Sequence, residues 1–184
     1  MRAFIALPLP ASDAEVLEAM ADRLDVGRAV PAENMHLTLA FLDEQPEATL
    51  REVADALESL TMPAFTYRLS GIASFGTALA LRADPSPALA DLHTRVLSRL
   101  HGAGLILERR RFRPHVTFTR LPERRDAREE ARFKTFLERE AATSIEEIAA
   151  REVVLYESIL TRDGPIYDPL AEFPLAQAAM RPSV

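Results

Sequence analysis

The chain has 184 residues, 48% hydrophobic and 27% charged, with a net charge of −6, a make-up that fits an ordinary packed protein and excludes a disordered one. It contains no cysteine, so disulfides, thiolate nucleophiles, iron–sulfur clusters and cysteine-based zinc sites are excluded. The negative balance argues against a protein that coats long nucleic acid by neutralising its phosphates.

Apolar clustering predicts a first strand over residues 2–7. The apolar run of the first ten residues is short and broken by Pro8 and Pro10, too little for a membrane span and poor as a secretory signal. No membrane association and a cytoplasmic location are expected. Ser12 is a good N-cap with Glu15 three residues on, and Val16, Leu17, Met20 and Leu24 share a helical face that Gly27 ends. Residues 36–41 alternate as a strand. A second helix follows Pro46, with Leu50, Val53, Leu57 and Leu60 inward and Pro63 as its stop. Strands are predicted over residues 65–72 and 78–82. Pro87 opens a third helix, burying Leu89, Leu92, Val96, Leu97 and Leu100 before Gly102. After a strand over residues 115–119, a charged fourth helix runs from about Asp126 to Ala141 with Phe133, Phe136 and Leu137 inward. Strands over residues 153–161 and 167–173 complete the pattern.

The two halves read alike: strand, helix, strand opening on His-x-Thr, helix, strand. Residues 1–184 are therefore expected to form a single bilobal domain with an internal pseudo-repeat, its second half starting near residue 77. Asp84 to Pro87 is the natural seam between the halves. The expected fold class is α+β: two pseudo-symmetric lobes, each an antiparallel sheet backed by helices, with a cleft between them.

The informative feature is a pair of tetrapeptides, His36-Leu37-Thr38-Leu39 and His115-Val116-Thr117-Phe118. Side chains alternate faces along a strand, so His36 and Thr38 share one face, as do His115 and Thr117, while the intervening residues pack into the core. An imidazole titrates near neutral pH and serves as acid or base. Two of them on opposite walls of a cleft suit the opening of a cyclic phosphodiester, which needs a base for water and an acid for the departing ribose oxygen. Thr38 and Thr117 would donate hydrogen bonds to the non-bridging oxygens as charge builds there. His93 and His101 lack a partner motif and read as packing or surface residues, and Phe75 reads as core rather than as a platform for a base. Two histidines are too few for a catalytic zinc, so no metal and no cofactor are expected.

Charge is not evenly spread. Between Leu107 and Arg125, Arg109, Arg110, Arg111, Arg113, Arg120, Arg124 and Arg125 face only Glu108 and Glu123, a positive patch suited to a small or terminal anion or simply a solvated face.

These motifs resemble those of the two-histidine phosphoesterase superfamily, and within it the prokaryotic RNA 2',3'-cyclic phosphodiesterase branch, also described as 2'-5' RNA ligase-like. The resemblance extends over Phe4 to Pro8, Pro31 to Leu42, the Leu92-His93 helix, Arg113 to Phe118, Leu155 to Ser158, and Tyr167 before Phe173-Pro174-Leu175. Asp43 departs from it, standing where glycine is commoner, and Thr119-Arg120 stands where Ala-Arg is usual. The resemblance implies metal-independent hydrolysis of a terminal RNA 2',3'-cyclic phosphate to a 2'-phosphate by two-histidine acid/base catalysis. It assigns His36 as the proton donor, His115 as the acceptor and Arg120 as a phosphate contact. Arg120 lies an odd number of residues from Thr117, so a bulge is needed to aim it into the cleft. Implied partners are RNA ends or nucleotides bearing a 2',3'-cyclic phosphate, on a monomer. Alternatives are 2'-5' RNA ligation, action on another nucleotide such as ADP-ribose cyclic phosphate, and a non-catalytic RNA-end binding module.

Overall fold

The computed structural model describes residues 1–108, 111–162 and 164–176; Arg109 and Arg110 of the arginine patch lie outside them. Strand β1 (Arg2–Pro8) buries five residues in a row, the mark of a central strand covered on both faces. Helix α1 (Ala11–Leu24) is preceded by Pro10 at its N-cap, with no side-chain cap bond, which corrects the expectation for Ser12. Its inward residues are Ala14, Leu17, Met20, Ala21 and Leu24, and Val16 is turned outward. Strand β2 (Arg28–Ala29) and a 3-10 turn (Ala32–Asn34) lead into β3 (His36–Glu44). Helix α2 (Glu47–Glu58) buries Leu50, Val53 and Leu57, and β4 (Phe65–Phe75) with β5 (Ala78–Ala83) forms a hairpin.

Helix α3 (Pro87–Gly102) starts where proline predicts, with the Ser86 hydroxyl accepting from the Leu89 amide. It buries Leu89, Leu92, Val96 and Leu100 and leaves Leu97 exposed. Strand β6 (His115–Arg120) is followed by α4 (Ala127–Glu140), opened by a capping box between Asp126 and Glu129. Strands β8 (Glu152–Thr161) and β9 (Gly164–Pro174) form a long hairpin. Strand β7 (Ser144–Ala150) is a further element that periodicity misses. Of its core residues Ile145, Ile148 and Ala150, the first two are three apart rather than two, because a register shift against Tyr67 and Leu69 and a left-handed Glu147 (φ 52°) carry both inward.

Among the described residues the strands form one antiparallel sheet in the order β7-β4-β5-β6-β3-β1-β8-β9, with β2 paired to β6. The order is mirrored about the β3–β6 junction, where Leu37 pairs with Val116. The fourth strand of each half crosses over: β4 pairs with β5 of the second half, and β8 returns to pair with β1 of the first. The helices cross as well, α1 packing on β6 and α3 on β3. Leu37, Val116, Phe118, Ile5, Leu79 and Leu81 are all fully buried beneath this junction, and each such side chain contributes about 1.5–3 kcal/mol. No helix of the described residues is long and apolar enough to cross a membrane.

Gly27 seats the α1–β2 connection on the end of β6. Its φ is +84°, and a Cβ there would lie 2.3 Å from the Arg120 carbonyl oxygen. Gly27→Ala is therefore expected to cost more than the roughly 1–2 kcal/mol of a left-handed alanine alone, because the clash is with backbone. Urea unfolding of the variant against the parent measures it.

Candidate active site

His36 and His115 open the two central strands, β3 and β6. The antiparallel Leu37–Val116 register sets His36 beside Thr117 and Thr38 beside His115. Leu37 and Val116 are fully buried, so the alternating partners point to the opposite face. In a regular antiparallel pair such diagonal residues lie on the order of 7–8 Å apart, which leaves space for one phosphate group between two imidazoles. The charge of His115 acts on His36, as that proximity requires. Neither threonine hydroxyl makes a hydrogen bond to another described residue.

The two imidazoles are held alike. Each Nδ1–H donates to the backbone carbonyl two residues before it: His36 to Asn34 at 2.8 Å, and His115 to Arg113 at 2.7 Å. A carbonyl only accepts, so Nδ1 carries the proton and Nε2 is left as the basic nitrogen. The rings then pack differently. His36 lies against Phe4 (centroids 4.7 Å apart) and the edge of Tyr167 (5.1 Å), with Tyr156 behind. His115 stacks flat on Phe75 at 3.9 Å and 11°. Phe75 is thus half-buried against an imidazole, not a core residue as its sequence context suggested. His93 is a packing residue, stacked on Phe112 at 3.8 Å, and His101 is exposed.

Burial pushes the His36 imidazole down to about 4; the Asn34 carbonyl opposes this, and the charges of His115 and Arg120 add to it. His115 is also lowered, again first by burial, with the Arg113 carbonyl opposing and Arg120 assisting. Both rings therefore favour the neutral form at pH 7. Arg120 reaches them because β6 is bulged: Ala80 pairs with Thr117 and Leu79 with Thr119, skipping Phe118. Phe118 and Thr119 are consecutively buried, and Arg120 then emerges in register with Ala78. Strand β3 has the same irregularity one motif earlier. Ala6 pairs with Thr38 and Ile5 with Ala40, skipping Leu39, so that Phe41 emerges at the place equivalent to Arg120. Asp43 adopts a left-handed φ of 54°, which explains why glycine suits that position.

The rest of the arginine patch divides among other tasks. Arg113 supplies a carbonyl, Arg125 pairs with Glu130 at 2.9 Å and lies over Phe133, and Arg111 lines a separate concavity. Of its described members, Arg120 is the one whose charge bears on both imidazoles. The aromatic surroundings of His36 and the carbonyls of Asn34 and Arg113 were not legible as site parts. The first come from strands far apart in the chain, and the second are backbone atoms common to every residue.

The depressed imidazole makes a prediction. In the unfolded chain it titrates at its ordinary value and in the fold near 4, so between pH 6.5 and 4 the unfolded state binds the extra proton. Native stability is fully kept above 6.5 and falls by roughly 3 kcal/mol towards pH 4 on this account. NMR titration of the imidazole C–H resonances is expected to show His36 unprotonated throughout pH 6–8, and His36→Gln should flatten that part of the stability profile.

Comparison with known proteins agrees with this layout. The profile of the 2'-5' RNA ligase superfamily matches residues 8–157. An RNA 2',3'-cyclic phosphodiesterase of Aeropyrum pernix is 28% identical over 157 residues, 82% of this chain and 88% of that one. One of Escherichia coli K12 is 29% identical over 189 residues, covering 96% and 97%. The crystal structure of E. coli LigT complexed with 3'-AMP superposes with a TM-score of 0.70 at 26% identity, covering 96% of this chain and 98% of that one. With the sheet, the paired strand openings and the profile match in agreement, the chain belongs to the 2'-5' RNA ligase superfamily.

Proposed function

We propose that the chain hydrolyses the terminal 2',3'-cyclic phosphate of RNA to a 2'-phosphate, with His36 and His115 as acid and base and no metal. The observation that carries this reading is the pair of imidazoles on adjacent strands, each held by the same Nδ1–carbonyl bond that leaves Nε2 free to act as base or acid, in strands that also carry Thr38 and Thr117. The names of the relatives support the substrate class. Among the described residues no three His, Cys, Asp or Glu side chains converge as metal ligands.

The reaction follows from the geometry. His115 takes a proton from water as its oxygen attacks phosphorus, the bond from phosphorus to O3' breaks, and His36 delivers its proton to O3'. Attack and departure are in line, which is why two bases on opposite sides serve better than one. Thr38, Thr117 and the Arg120 guanidinium stabilise the non-bridging oxygens as negative charge grows on them. His36 is neutral in the empty cleft, so it gains its proton as the phosphate anion arrives: the anion favours the imidazolium that burial disfavours.

This gives a specific pH dependence. The productive form holds one proton between the two imidazoles, and both free-enzyme values are lowered from 6.5. The kcat/KM profile should be a bell with both limbs below pH 6.5, while the kcat bell, set in the complex, lies at higher pH. A flat profile between pH 5 and 9 would overturn two-histidine catalysis. The direct test is digestion of a defined RNA ending in 2',3'-cyclic phosphate, with and without EDTA, followed by identification of the product end. A 2'-phosphate at an unchanged rate is expected in EDTA. His36→Ala and His115→Ala should each lose roughly 10²–10⁴ in rate, and Thr117→Val about 10² in kcat. A binding module would show no turnover in the parent protein.

A further inference from the structure

A concavity of about 440 Å3 opens at the end of the β5–β6 pair, lined among others by Ser70, Arg82, Asp84, Ser86, Arg111 and Phe112. It adjoins the histidine site through the sheet itself. Arg82 stands opposite His115 in register, and Ser70 stands opposite Arg82. Cross-strand partners share a face, so His115, Arg82 and Ser70 form a row running from the imidazole to this concavity. The guanidinium has a built seat: Gly71 is the extra residue of a bulge with φ +71°, and a Cβ there would come 2.8 Å from Arg82 Nη2.

The charge balance favours an anion. The one carboxylate of the lining, Asp84, is engaged by the Ser70 hydroxyl and by Arg68 at 2.8 Å, which with a smaller contribution from the Arg82 charge hold its carboxyl below the usual range, so one carboxylate faces three guanidinium groups. Arg82 and Arg111 form no ion pair with any described residue. Phe112, fixed by its stack on His93, adds a flat apolar wall beside the two cations.

We propose that this concavity is a second anion subsite, which takes the phosphodiester on the 5' side of the terminal nucleotide while the cyclic phosphate lies between His36 and His115. The proposal rests on the function proposed above and adds to it that the chain recognises the end of a strand rather than a lone nucleoside cyclic phosphate. Arginine suits that task because its fork binds two phosphate oxygens at once.

The test compares a nucleoside 2',3'-cyclic phosphate with a dinucleotide ending in the same group. In Arg82→Gln and in Arg111→Gln, kcat/KM for the dinucleotide is expected to fall by roughly tenfold to a hundredfold, mainly through KM, the scale of one lost charged hydrogen-bond partner. The nucleoside cyclic phosphate should be opened as fast as by the parent. Equal losses on both substrates would mean that the arginines act on the His115 centre and would overturn the subsite; no loss on either would overturn it as well. Arg111 is exposed, so its variant keeps the test valid should Arg82→Gln fail to fold. A parent protein that opens neither substrate would overturn the proposed function and this subsite with it.

Discussion

The structure depends on one antiparallel contact, the pairing of Leu37 with Val116 where β3 meets β6. Both residues are fully buried, and the same pairing that buries them turns the flanking histidines and threonines to the other face. Because the strands run in opposite directions, two motifs that repeat in sequence become related by a local two-fold in space. Each imidazole therefore stands beside the other motif's threonine, and the histidines lie on a diagonal. A parallel pairing would have set histidine beside histidine, with both on one side of a bound group. The exchange of β4 and β8 between halves supports the contact, since neither half can move off without breaking sheet hydrogen bonds of the other.

Depth has a chemical consequence at this site. Phe4, Tyr156 and Tyr167 exclude water from His36, and an imidazole so placed resists protonation. The backbone carbonyls of Asn34 and Arg113 fix which nitrogen carries the proton without adding a full charge. What results is a pair of imidazoles that both resist protonation, His36 the more strongly. A carboxylate at the same distance would have kept each ring charged in the empty cleft.

The two halves are alike in backbone and unlike in side chains. The bulges at Leu39 and Phe118 bring Phe41 and Arg120 to equivalent places, one an exposed ring and the other a cation. Beneath them the pairing residues also differ, Phe4 in one half and Ala78 in the other. The surroundings of the two motifs are therefore apolar on one side and charged on the other. Backbone symmetry supplies the paired imidazoles, and the side chains at equivalent places break that symmetry.

The sequence by itself determined most of the secondary structure and the four motif side chains, because strand alternation and helical spacing are local properties of consecutive residues. Pro87 after Ser86 and the Asp126–Glu129 capping box are legible for the same reason: each device closes within one turn. It failed at β7, where a bulge replaces the two-residue period by three, and at Ser12, where the helix starts after Pro10, two residues earlier than the hydroxyl suggests. Only the tertiary structure decided that the charge of Arg120 bears on both imidazoles, that Phe75 backs His115 rather than the core, and that Phe4, Tyr156 and Tyr167 pack around His36. Those outcomes depend on which residue faces which across strands distant in the chain, and a single bulge reverses the facing of everything beyond it. No periodicity within one strand carries that information, because register belongs to a pair.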